Sequence, residues 1–196
     1  MLSLLPADLS GLRVVDVGCG TGRYMQHAFE RSAGRVIGID QSRAMLAHAV
    51  RGEVRDACLV QASLARLPVR DAVADVVMCA LTLGHVAPLA DALRELCRVL
   101  APNGLIVCSD FHPIGESLGW QRTFKAGDQR YAVRHYTHAV DDWQTACVAA
   151  GLGIQKHVEA FIDAGDIPVA AHFDPRAMIL PVAHAFALHV NCTNDL

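Results

Sequence analysis

The chain has no long unbroken apolar run, little charge and no basic cluster, and each shortage removes a class of function. Its most apolar stretch, near residues 76–90, is interrupted by Thr82, Gly84, His85 and Pro88. That is too broken for a membrane-spanning helix, which needs about 20 apolar residues in sequence. Lys and Arg number 17 against 20 Asp and Glu, with no run of cations, so non-specific nucleic-acid binding is not expected. Charged residues make up only 19% of the chain and hydrophobic ones 53%, which excludes disorder and supplies one domain with a packed core. The start, MLSLLPADLSGL, lacks the basic beginning and apolar stretch of a secretory signal. Cys19, Cys58, Cys79, Cys97, Cys108, Cys147 and Cys192 form no C-x-x-C pair. An odd, scattered set of this kind reads as reduced thiols of a cytoplasmic protein, with no metal site.

What is present is alternation. RVVDV (13–17), RVIGID (35–40), ACLVQA (57–62), DVVMCA (75–80) and GLIVCSD (104–110) are short apolar runs without period-2 patterning, as expected of parallel strands covered on both faces. Helical patterns fall between them at 22–33, 42–51 and 88–100. In the last, Leu89, Leu93, Leu96 and Leu100 share one face, Pro88 suits the first turn, and Asn103-Gly104 turns the chain onward. The segment 111–140 loosens into an irregular insert. A helix over 141–152 follows, with Asp141 as N-cap and Gly151 as terminator, and then two final strands, GIQKHVEAFID and AHAFALHV. The expected architecture is a single α/β domain over 1–196 with a doubly wound, mostly parallel sheet. Ligands of such sheets sit beyond the carboxyl ends of the strands.

The first of those ends reads VVDVGCGTGRY. Its glycines, Gly18, Gly20 and Gly22, fall one residue short of the dinucleotide fingerprint, and Asp16 stands two residues before them. A carboxylate there would repel a pyrophosphate and favour a cationic ligand. Asp40, at the end of the second strand, is placed to bind a ribose diol. S-adenosylmethionine, with its ammonium, sulfonium and ribose and without phosphate, meets both demands.

These stretches, with VIGIDQSRAML, ASLARLPVRDAVADVVMCALTLGHV and ALRELCRVLAPNGLIVCSD, resemble the class I S-adenosylmethionine-dependent methyltransferases. The similarity runs over about residues 12–110 and is nearest the ubiquinone/menaquinone and malonyl-carrier-protein branch. It implies a Rossmann-like seven-stranded sheet with an antiparallel C-terminal hairpin and a donor site. In that site Gly18, Cys19, Gly20 and Gly22 line the methionine moiety near Asp16. Asp40 takes the ribose, Gln41 and Met45 flank the adenine with Ser63 and Leu64 at its edge, and the backbone of Ala80 faces the amino group. Ser63 replaces the family's usual Asp and implies modest affinity. The N-terminal cap is shorter than the family's, which motivates an alternative reading as a catalytically silent subunit that regulates a partner protein. The acceptor implied is a small, rather apolar molecule methylated on oxygen or carbon, within residues 111–140 and 164–182. His85 and His112 follow the fourth and fifth strands and are the candidate general bases. His135 and His138, with Tyr136, are candidates to line the acceptor pocket. The proline-punctuated C-terminal segment could pair two copies into a homodimer.

Overall fold

The computed structural model describes residues 1–51, 58–163 and 174–191, without the side chains of 51 and 124–126. Strands β1 (Arg13–Val17), β2 (Arg35–Asp40), β3 (Cys58–Gln61), β4 (Ala74–Ala80) and β5 (Leu100–Phe111) run parallel to one another. With β8 (Leu152–Ala160) and β9 (Ala183–Val190) they form a seven-stranded sheet ordered β3-β2-β1-β4-β5-β9-β8, in which β9 is antiparallel to both neighbours. The order reverses between β1 and β4, the crevice where doubly wound sheets bind ligands.

Alternating side chains along the strands serve two cores. Val15, Val77 and Ile106 face α3 (Leu89–Val99) and α5 (Val140–Ala149), whose Leu93, Leu96 and Trp143 are fully buried. Val14, Val36 and Met78 face α1 (Arg23–Glu30), which buries Met25 and Ala28, and α2 (Arg43–Arg51). Because both faces are covered, the strands read as unbroken apolar runs rather than as alternation. Leu4, Leu5 and Leu9 join the second core, and Leu9 N–H donates to the Arg31 carbonyl at 2.8 Å.

The four-leucine face of α3 is buried throughout, including Leu100, which already begins β5. Asn103, at φ 64°, lies in the register shift between Ala74 and Val76 on the paired strand, so the expected turn is a bulge within β5. α5 starts one residue early. Ala139 holds the cap position and Asp142, not Asp141, accepts the Ala139 N–H at 2.8 Å, because a carboxylate three residues in reaches back to the cap backbone. The insert is more regular than expected. It contains α4 (Ile114–Ser117) and an antiparallel hairpin of β6 (Thr123–Ala126) and β7 (Gln129–Ala132). β7 is exposed along its whole length, so no burial pattern betrays it, and the turn signal is Gly127-Asp128 with Gly127 at φ 60°. Most of the 164–182 segment, expected to wall the acceptor and pair two copies, lies outside the described residues. Among the described residues no helix is long and apolar enough to cross a membrane.

Beneath α5, His184 is 1% exposed and neither ring nitrogen has a hydrogen-bond partner. Its ring packs 4.8 Å from Phe186, 5.6 Å from His112 and 5.8 Å from both His157 and Trp143, centroid to centroid. Burial, with the nearby His112, His157 and His138 imidazoles, pushes its pKa down from 6.5 to about 3. The unfolded chain therefore binds the proton first as pH falls, and stability drops below pH 6.5 toward 3. The expected loss is about 2 kcal/mol between pH 6.5 and pH 5, read by urea denaturation, and His184→Leu flattens that slope.

Candidate functional site

The turn after β1 is held by its own backbone. Gly18 and Cys19 N–H groups both donate to the Ile39 carbonyl, at 2.7 and 3.0 Å, and Gly22 N–H donates to the Cys19 carbonyl at 2.9 Å. Gly18, Gly20 and Gly22 have φ of 71°, 55° and 88°, which glycine adopts without the strain a side chain would add. Two of them differ in surroundings. A Cβ on Gly18 would lie 2.1 Å from Thr82 Oγ1, whereas one on Gly20 would meet no protein atom within 4 Å. Gly18 is thus needed for the fold, while Gly20 leaves its backbone open to a ligand. Cys19 is buried, and burial together with Asp16 and Asp40 pushes its thiol up to about 12, so it is a small apolar filler and no nucleophile.

Asp16 is 1% exposed, and neither carboxylate oxygen has a hydrogen-bond partner among the described residues. Burial, and then the charge of Asp40, raises its pKa from 3.8 to about 7. A buried carboxylate of this kind is costly unless a cation or donor meets it. The donor set around it, an orphaned acid and an open glycine backbone, fits a compound carrying an ammonium or sulfonium.

Asp40 has a structural duty as well as its expected one. Its Oδ2 accepts Gly20 N–H at 2.8 Å and its Oδ1 accepts Ser42 N–H at 2.7 Å, so it clips the glycine turn to the start of α2. Each oxygen keeps a lone pair for a further donor. Gln41 and Met45 are exposed beside it. Ser63 is exposed and its Oγ accepts Ala65 N–H at 3.2 Å, while Leu64 is buried in the core. Their loop is pinned to α3 by Arg98, which donates to the Leu67 and Val69 carbonyls and to Glu95. The Ala80 carbonyl accepts the Thr82 hydroxyl at 2.9 Å. That hydroxyl also lies 3.5 Å from the Gly18 carbonyl, so Thr82 joins β4 to the glycine turn. Thr82 was not singled out in the sequence, where its only signal is its place just after a strand.

On the other side of the 82–85 loop lies a cavity of about 600 Å3 beside the end of β5. Of the two candidate bases, His112 lines it and His85 stands exposed at its margin. Each has both ring nitrogens occupied. His85 Nδ1 is 3.1 Å from the Arg134 carbonyl and its Nε2 is 3.4 Å from Arg122 Nη1. His112 Nδ1 accepts Ile114 N–H at 3.2 Å and its Nε2 faces Glu159 at 3.4 Å. His135 lines the cavity and pairs with Asp110, a buried acid that the sequence marks only by its position at a strand end. His138 is partly buried, with an unpartnered Nε2, and burial lowers its pKa.

Residues 15–108 match the family model described as "Methyltransferase domain". The chain is 36% identical over 146 residues to the malonyl-[acyl-carrier protein] O-methyltransferase of Pectobacterium atrosepticum, covering 72% of this chain and 55% of that protein. It is 32% identical over 114 residues to the demethylmenaquinone methyltransferase of Lactococcus lactis, covering 54% and 45%. The chain therefore spans about half the length of these curated relatives. A crystal structure of an S-adenosylmethionine-dependent methyltransferase from Mesorhizobium loti matches 95% of this chain and 94% of its own, with a TM-score of 0.75 and 25% identity. The family match runs from β1 into β5, the structural match covers 95% of the chain, and the chain belongs to the class I S-adenosylmethionine-dependent methyltransferases.

Proposed function

We propose that the chain binds S-adenosylmethionine at the glycine turn and methylates oxygen or carbon of a small, rather apolar acceptor in the cavity beside β5. In this reading Asp16 meets the cationic methionine end, with Gly18, Cys19, Gly20 and Gly22 around it and the Ala80 carbonyl toward the ammonium. Asp40 binds the ribose hydroxyls, Gln41 and Met45 border the adenine, and Ser63 and Leu64 close its edge. His85 and His112 order the acceptor side. A relative named as a malonyl-[acyl-carrier protein] O-methyltransferase supports transfer to oxygen. The bound donor supplies a methyl group on positively charged sulfur, already activated for displacement. The protein's part is to hold the nucleophile in line, which contributes on the order of 7 kcal/mol in well-aligned cases.

The observation that carries the reading is the orphaned Asp16 carboxylate. Calorimetry with S-adenosylhomocysteine is expected to give roughly micromolar affinity; no heat and no thermal shift would overturn the proposal. Affinity is expected to rise with pH up to about 7 and then level off, since only ionised Asp16 attracts the ammonium. Asp16→Asn separates the two duties of this residue. Folded Asp16 resists ionisation that the unfolded chain accepts above 3.8, so the wild-type fold loses stability as pH rises from there to about 7. The variant is expected to be more stable at pH 8, by on the order of 4 kcal/mol, with no gain at pH 4, while its ligand affinity falls. Gly20→Ala is expected to cost about 1–2 kcal/mol of stability through its positive φ and to abolish binding; thermal melts and the same titration read both.

A further inference from the structure

One constellation is left unused by the donor site. Asp110, at the end of β5, is 2% exposed, and its Oδ2 accepts the Gly84 N–H. Its Oδ1 accepts Phe111 N–H at 2.8 Å and lies 2.7 Å from His135 Nε2. A carboxylate acceptor places the ring proton on Nε2 and leaves Nδ1 with a free lone pair. His135 Nδ1 has no hydrogen-bond partner among the described residues. The ring is wedged edge-on against Phe111 and His85, at 5.2 and 5.5 Å, and against Gly84, where a Cβ would lie 2.0 Å from Nε2. It is therefore held in place, as a base must be.

The cavity it lines is walled by Phe111, Trp120, Val133, Ile162 and Val182. Arg122, also in the wall, lies 4.8 Å over the Phe111 ring and pairs with no carboxylate among the described residues. Of the two acids bordering the cavity, Asp174 is bound by Arg176 and Trp120, and Glu116 is exposed. An unpaired base and an unpaired cation thus share one apolar cavity, a pairing suited to a neutral acid that becomes an anion when it loses its proton.

We propose that His135 is the catalytic base, that Asp110 positions it, and that the acceptor is a small phenol ionised in this cavity beside Arg122. This rests on the methyltransferase reading and names its acceptor. The phenol O–H bond breaks, its proton forms an N–H bond at His135 Nδ1, and the electron pair stays on oxygen facing Arg122. Asp110 offsets the imidazolium charge, as the acid of a hydrolase triad does. The 82–85 loop, with Thr82 on Gly18 and Gly84 on His135, joins this dyad to the donor side. After transfer, the proton leaves Nδ1 for water.

The test uses the full chain saturated with S-adenosylhomocysteine and 4-nitrophenol as probe, a phenol that is yellow only when ionised. At a pH below the probe's own pKa, bound probe is expected to show a phenolate-to-phenol ratio about tenfold above that in water. Calorimetry in buffers of different ionisation heat is expected to find no proton released, because it moves to Nδ1. His135→Gln and Asp110→Asn are expected to abolish the extra phenolate and to weaken probe binding by no more than that tenfold bias, and Arg122→Gln to weaken binding further. Bound probe that stays neutral, a full proton released by the wild-type protein, or undiminished ionisation in His135→Gln overturns the base assignment. The proton count needs no variant, so it decides even where a substitution unfolds the chain. No probe binding overturns the phenol class while homocysteine-nucleoside heat persists; absence of that heat strikes the methyltransferase reading itself.

Discussion

A carboxylate with two unpartnered oxygens, sealed at the end of the first strand, is the constraint around which this structure is arranged. Burial favours its neutral form, so the folded chain without a cation carries a standing energetic penalty. The rest of the turn is built to keep that group where it is. Ile39 accepts two consecutive N–H groups, Asp40 clips Gly20 to Ser42, and Thr82 occupies the space that a side chain at Gly18 would need. None of these contacts satisfies Asp16 itself. A buried acid that is positioned but not paired is the kind of group found at functional sites.

The glycine turn and the cavity beside β5 are joined through one short loop. Thr82 touches the glycine turn, Gly84 donates to Asp110, and His85 reaches the Arg134 carbonyl and Arg122. Residues 82–85 lie between the strand ends of β4 and the cavity beside β5, so a shift on either side is felt on the other through hydrogen bonds and close packing. Gly84 has no room for a side chain because the His135 ring fills that space.

Histidine shows how environment, not residue type, assigns duty here. His184 is buried among aromatic rings with both nitrogens unpartnered, and stays neutral. His85 and His112 spend both nitrogens on the backbone and on neighbouring side chains. His135 alone among these four is oriented by a buried carboxylate while keeping one nitrogen free.

The parallel strands, their order of alternation with helices and the glycines and acids at the strand ends were legible in the residues, because each depends on local pattern. Apolar runs covered on both faces, the leucine face of α3, and acids set at strand ends all carry their meaning within about twenty positions. The hairpin of β6 and β7 was not legible, since an exposed strand such as β7 imposes no burial period. Nor were the hydrogen-bond partners of the histidines. Asp110 and His135 are 25 residues apart, and only the closure of the insert over the end of β5 brings the imidazole to the buried acid. Sequence by itself determined which chemical groups stand at the strand ends. Tertiary structure decided which of them are paired and which are left with a lone pair to offer, because hydrogen-bond satisfaction depends on neighbours distant in the chain.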